Sequence, residues 1–300
     1  MEAPATTEAR RPLAESLGDY AALTKPRIIV LLLVTCACAM IVARGGLPDP
    51  LRALATLAGL ALSSGGANAV NMWYDRDIDA VMERTRWRPL PSGRLTPQAA
   101  LAFGVASEAA AVAVLGLLVN WPAALLALAG FVYYVFIYTM WLKRRTPQNI
   151  VIGGGAGAFP PLVGWAAVTG RLSVAAGLLF LIIFLWTPPH FWSLALYKDS
   201  DYRRAGVPMM PVVHGWRATK GQALVYAALL LCASLLLFLT HTVGLLYLAT
   251  AAVLGVGFIG VAVELYAEQA PAVTWAKRTF RYSLLYLTAL FGAMVLSVHR

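Results

Sequence analysis

The chain has 300 residues, 60% of them hydrophobic and only 13% charged, with a mean hydropathy of +0.70. A soluble domain carries roughly 25% charged residues, so these proportions exclude disorder, a coiled coil and an ordinary cytosolic enzyme. They predict an all-α, polytopic membrane protein. The net charge of +10, from 24 Lys and Arg against 14 Asp and Glu, has two candidate causes, nucleic-acid binding and membrane topology.

In chain order, the first 20 residues are polar, carry Arg10 and Arg11, and contain no apolar stretch, so no cleavable signal peptide is expected. Residues 1–22 read as a polar cytoplasmic tail and 23–300 as one transmembrane domain. A spanning helix needs about 20 apolar residues. Nine such runs are read, at 27–43, 51–72, 99–119, 122–142, 149–169, 173–194, 221–240, 243–264 and 279–297. Odd joints between them are short and even ones long. Twenty of the 24 basic residues lie before or at the start of the first run, in the even connections, or at the start of the last run; Arg44, Arg52, Arg171 and Arg300 are the four on the other side. That asymmetry predicts a multi-pass protein of the cell membrane, the inner membrane where a cell has two. The N-terminus and long loops would be cytoplasmic and the C-terminus outside. Topology then accounts for the charge, and no nucleic-acid partner is expected. Of the three cysteines, Cys36, Cys38 and Cys232, the first two lie inside an apolar run and read as packing residues rather than ligands, and no disulfide framework is indicated.

The positive-inside rule does not ask for carboxylates, yet Asp75, Asp77, Asp79 and Glu83 cluster after the second run, and Asp199 and Asp201 after the sixth. Asn71, Asp75 and Asp79 are spaced i, i+4, i+8, which on a helix drifts by only about 40° over about 12 Å. All three would share one face, with Asp77 pointing away. A carboxylate row with a neutral amide is hard-oxygen ligation suited to Mg²⁺, which keeps waters and bridges carboxylates to phosphates. The competing reading is a solvated helix end with Asp75 or Asp79 paired to Arg76, Arg84 or Arg86. The arginines at 84, 86, 88 and 94 make an anion cradle and favour the first reading. In the second cluster, Tyr197 and Asp201 can share a face, with Lys198 and Asp199 between them and Arg203 and Arg204 beyond. Facing the first, this group would hold a second Mg²⁺ across a diphosphate. Lys143, Arg144 and Arg145 add basic charge on the same side. Asp75 and Asp199 are 124 residues apart, as are Asp77 and Asp201, a weak sign of duplicated halves.

Asn71–Asp79 fits the NxxxDxxxD motif, and the chain resembles the UbiA-type intramembrane prenyltransferases. NMWYDRDIDAVMERTRWRPLPSGRL, LKRRTPQNIVIGGGAGAFPPLVGWAAVTG, TPPHFWSLALYKDSDYRRAGVPMMPVVHG and LTKPR resemble the haem-farnesylating branch of that family, from about Leu23 onward. One departure is that this branch reads Ser-Asp-Asp-Tyr where the chain has Asp199-Ser200-Asp201-Tyr202. The acid bound to metal is thus Asp199 or Asp201, with Asp201 favoured.

The resemblance implies about nine helices around a central cavity open to the cytoplasmic side and to lipid. It implies Mg²⁺-dependent transfer of farnesyl from farnesyl diphosphate to the 2-vinyl group of haem B, with water completing haem O. Asp75, Asp79 and Asp201 would hold metal, alongside Asn71, Asp199 and Lys198. Arg84, Arg88, Lys143, Arg144 and Arg203 would contact diphosphate, and His190 or His214 would contact haem. His241 and His299 are poorly placed for that. Glu108, mid-span, reads as structural or catalytic. The product would pass to a haem A synthase or a terminal oxidase assembly. Rival functions are a quinone-type aromatic prenyltransferase and a non-catalytic haem handler or transporter. Because the acids sit at span ends rather than deep within, the transporter is disfavoured.

Overall fold

A computed structural model describes residues 13–298; Arg10, Arg11, His299 and Arg300 lie outside the described residues. Hydrocarbon offers no partners for backbone N–H and C=O groups, so a chain this apolar must satisfy them within helices. Among the described residues nine helices are long and apolar enough to span. They are α2 (Pro26–Arg44), α3 (Pro50–Tyr74), α5 (Pro97–Leu118), α6 (Trp121–Leu142), α7 (Asn149–Thr169), α8 (Val174–Tyr197), α10 (Met210–Phe238), α11 (Leu245–Ala267) and α12 (Thr274–Leu296). Three short helices lie outside the spans: α1 (Leu13–Thr24), α4 (Arg76–Val81) and α9 (Asp199–Arg204).

Side-chain caps set the short joints. Asp49, Asn120 and Ser173 accept the backbone N–H groups of Arg52, Ala123 and Ala176, so α3, α6 and α8 each begin at a capped end. The longer connections hold two departures from the expected spans. Helix α10 starts at Met210 rather than 221, with a break at Gly215 (φ 79°, ψ 170°), and α12 starts at Thr274 rather than 279. Apolarity marks where a helix enters lipid, not where it begins: Arg217 and Lys220 in α10, and Lys277 and Arg278 in α12, interrupt the apolar run after the helix has started. The expected tail likewise holds the helix α1, which packs on α3 and is tied by Asp19 to Arg94 at 2.7 Å.

Helix α3 packs along α5, α2 along α7, and α10 between α8 and α11, with α12 against α11 and α8. The α3–α5 approach is close. A Cβ on Gly66 would fall 2.6 Å from the Gly104 carbonyl, so only small residues fit there. Large apolar side chains such as Leu117, Val174 and Val253 face outward, as a lipid-facing surface requires. One apolar cluster joins Ile78 and Met82 to Trp192, Leu196, Tyr202, Val207 and Met210, at the end of the bundle that carries the long connections. It packs the two acidic segments against each other.

Candidate active site

The first acidic segment is built on a helix break. Helix α3 ends at Tyr74, Asp75 caps it, and α4 follows at once. Backbone bonds from Asp75 N to Asn71 O and from Asp79 N to Asp75 O keep the i+4 rhythm across the break. The expected face therefore forms: Asn71, Asp75 and Asp79 are buried, whereas Asp77 points out. The Asn71 amide donates to Asp75 at 2.8 Å and to Thr139 at 3.1 Å, and its oxygen accepts from Lys25 Nζ at 2.8 Å. Lys143 pairs with the fully buried Asp75, and Arg144 Nη2 reaches the other Asp75 oxygen at 3.4 Å. Arg88 donates to Asp79 at 2.6 Å. Buried carboxylates stay ionised only with such partners.

Arg144 also grips Asp77 with both terminal nitrogens, at 2.7 and 2.8 Å, and lies over the Tyr74 ring. These bonds hold the Asp77 carboxyl down to about 2 and raise the Arg144 guanidinium. Lys143 arrives from a stretch of π-helix, Tyr133–Leu142, continued by a bond from Lys143 N to Tyr138 O. The wider turn displaces the side chains that follow it, and π-helical turns are frequent at functional sites.

The second segment repeats the break. Helix α8 ends at Tyr197, Lys198 forms the joint, and α9 follows. Asp201 is buried and pairs with Arg204; Asp199 pairs with Arg203 at 2.7 Å, and its Oδ1 is buried with no hydrogen-bond partner among the described residues. Lys198 is half-buried at the joint. Two residues link the segments: Arg84 lies beside the Tyr202 hydroxyl, and Arg204 lies 4.0 Å from Glu83. Burial raises the Tyr202 phenol, while Arg84 and the more distant Arg88 pull it back. Among the described residues no three His, Cys, Asp or Glu converge to cage a cation.

His190 is buried in α8, whereas His214 is exposed, one residue before the Gly215 break. His241 sits in the joint before α11 at φ 57°. Glu108 is buried beside Ser63 where α5 faces α3 and α6, and lines a cavity of about 420 Å³ with Val105, Val112, Leu128 and Phe131. It is not among the groups that meet the acidic segments.

Lys25 was not among the expected site residues; in the sequence it counted as topological charge and as part of the LTKPR string. It holds a left-handed backbone (φ 56°, ψ 64°), rare for a residue with a Cβ, and its amine meets Asn71. Burial, reinforced by Arg88 and Lys143, pushes its ammonium well below the ordinary lysine value, against the pull of Asp79 and Asp75. The sequence signal for it was its place in the LTKPR string, before a proline at the mouth of the first span.

Nine spans among the described residues, with acids and bases carried at two helix breaks at one end, define the class. The sequence profile described as the UbiA prenyltransferase family matches residues 32–285, and the chain belongs to that family of membrane enzymes. A relative from Symbiobacterium thermophilum named protoheme IX farnesyltransferase is 61% identical over 94% of this chain and 94% of its own length. One of the same name from Acidiphilium cryptum is 49% identical over 95% and 92%. Among solved structures, one of a digeranylgeranylglyceryl phosphate synthase superposes with a TM-score of 0.79 at 20% identity, over 94% of this chain and 98% of that one. A UbiA homolog from Archaeoglobus fulgidus bound to DMAPP and Mg²⁺ gives 0.66 at 16% identity, over 93% and 99%. These two likenesses bear on the fold.

Proposed function

We propose that this enzyme transfers the farnesyl group of farnesyl diphosphate to the 2-vinyl group of haem B, giving haem O and diphosphate. The observation that carries this reading is the meeting of two acid-and-base segments at one end of an apolar bundle, in a chain whose curated relatives are named protoheme IX farnesyltransferase. The farnesyl C1–O bond breaks and its electron pair leaves with the diphosphate. The vinyl group supplies the electrons for the new carbon–carbon bond. Water then adds to the resulting cation and loses a proton.

The donor set fits Mg²⁺. Asp75, Asp79 and Asp201 are buried hard-oxygen donors, and the partnerless Oδ1 of Asp199 is an atom a cation would satisfy. With no protein cage of three, each ion would be held by one or two carboxylates, with water and phosphate oxygens completing its shell, as Mg²⁺ prefers. When bound, the ion neutralises charge developing on the departing diphosphate.

The chain's own cations do the rest. Lys143, Arg88 and Arg204 now close on carboxylates and would turn toward phosphate oxygens when those carboxylates take metal. Lys25, Arg84, Lys198, Arg144 and Arg203 supply further positive charge around the same groups. Asn71 orients Asp75. Apolar and aromatic walls, including the stacked Tyr134 and Tyr138, keep water from the allylic cation until the acceptor has reacted.

We place the N-terminus and long loops in the cytoplasm, with residues 23–300 as one domain, and the product passing to a haem A synthase or oxidase assembly. The test is purified protein with haem B, farnesyl diphosphate and Mg²⁺, read by the mass of the pigment. A mass gain of one farnesyl group plus one hydroxyl, lost on chelation, is expected. Unchanged haem beside a prenylated quinone precursor would overturn the acceptor. No transfer to either would overturn the reading.

A further inference from the structure

We propose that Ser283 is a positioning residue that fixes the His190 ring so that its Nε2 is presented to the iron of the haem substrate. The proposal rests on the haem-farnesylating reading above. His190 sits in α8 with 7% of its surface exposed, and both faces of its ring are covered. Trp186 stacks at 4.2 Å with planes 19° apart and Phe280 at 4.6 Å with planes 24° apart. Only the ring edge can meet a ligand.

On that edge, Nδ1 lies 2.7 Å from the Ser283 hydroxyl of α12. The same hydroxyl lies 2.7 Å from the Phe280 carbonyl. A hydroxyl has one proton to give. Giving it to the carbonyl leaves the Ser283 oxygen to accept from Nδ1–H, which satisfies all three groups at once. The proton of the neutral ring is then on Nδ1 and the lone pair on Nε2.

Nε2 has no hydrogen-bond partner among the described residues, and it is not one of the fully enclosed unpaired atoms, so it borders space that a ligand can reach. A histidine serving only as a buried strut is expected to have both nitrogens satisfied. One nitrogen donating to a neighbour and the other left open is the arrangement found in metal-ligating histidines, where the donated bond fixes the tautomer and makes the ligand more basic. Imidazole is a common axial ligand of haem iron. Ligation would hold the macrocycle at a set position against α8, whose far end leads into Asp199 and Asp201. Trp186 Nε1 also donates to the Ser283 carbonyl at 2.7 Å, so α8 and α12 stay latched whatever side chain stands at 283.

The test is haem B titrated into the purified full chain, followed by absorption and by the iron–histidine stretch of the ferrous form in resonance Raman. Ser283→Ala is expected to lower that stretch and weaken haem binding about 10–100-fold, with Ser283→Thr restoring both. His190→Ala should abolish the stretch. Should the alanine variant not fold, Ser283→Cys, a weak acceptor, gives the same test. A wild-type stretch and affinity in Ser283→Ala or Ser283→Cys would overturn the positioning role. A wild-type spectrum in His190→Ala would overturn ligation itself. Haem farnesylation by the wild-type protein, measured separately, shows in either case whether the underlying reading stands.

Discussion

The two acidic segments share a design and differ in how they are tied down. Each is a spanning helix ending in tyrosine, one joint residue, and a six-residue helix. In the first, the buried Asp75 and the amide beside it are held by groups from elsewhere in the fold, Asp75 by Lys143, 68 residues away, and Asn71 by Lys25, 46 away, while Asp79 is held by Arg88 from the loop just beyond α4. In the second, Asp199 and Asp201 pair with Arg203 and Arg204, their own i+4 and i+3 neighbours. Long-range ties fix a position in space, whereas pairs within one turn of helix fix nothing beyond that turn. On the proposed reading, the first segment is the rigid half of the site and the second the half that would adjust around a diphosphate. Arg84 beside Tyr202 and Arg204 beside Glu83 are side-chain contacts between them.

This contrast can be broken experimentally. The largest effect is expected at the rigid half: Asp75→Asn or Asp79→Asn should lower turnover about 10³-fold or more, with the protein still extractable and folded. Full haem O production by both variants would refute their role. At the adjustable half, Asp201→Asn should cost more than Asp199→Asn, because Asp201 is the more buried; equal losses would make the pair interchangeable.

Next comes pH. Lys25 titrates below an ordinary lysine, so kcat/KM should fall with rising pH as its ammonium discharges, at lower pH than lysine normally would. Lys25→Arg should move that falling limb upward, and an unmoved limb would exclude Lys25 from the site. The smallest effect is expected at Asp77. Its pair with Arg144 is exposed and worth up to about 1 kcal/mol. The carboxyl is held down to about 2, so the pair's stabilisation is present at neutral pH and disappears only as pH falls through about 2. Asp77→Asn should leave turnover within about twofold, in an assay run beside Asp79→Asn.

Much of this was legible in the sequence because it depends on local periodicity. Apolar runs located the nine spans, and the i+4 spacing put Asn71, Asp75 and Asp79 on one face and Asp77 on the other. What was not legible depends on distance or on non-standard turns. No residue pattern marks the π-helical stretch that delivers Lys143. The Lys25–Asn71 bond and the His190–Ser283 bond, across 93 residues, exist only once helices pack. The early start of α10 was hidden because His214, Gly215, Arg217 and Lys220 cut its opening Met-Pro-Val-Val off from the long apolar run that follows.

The central claim is that both segments grip one metal-bound diphosphate. Its most direct test is farnesyl diphosphate binding by calorimetry, with and without Mg²⁺, in a double-mutant cycle of Asp79→Asn and Asp201→Asn. The account predicts binding that requires Mg²⁺, weakens in each single variant, and is non-additive in the double by about 0.5–3 kcal/mol. Strictly additive losses, or binding indifferent to Mg²⁺, would contradict it.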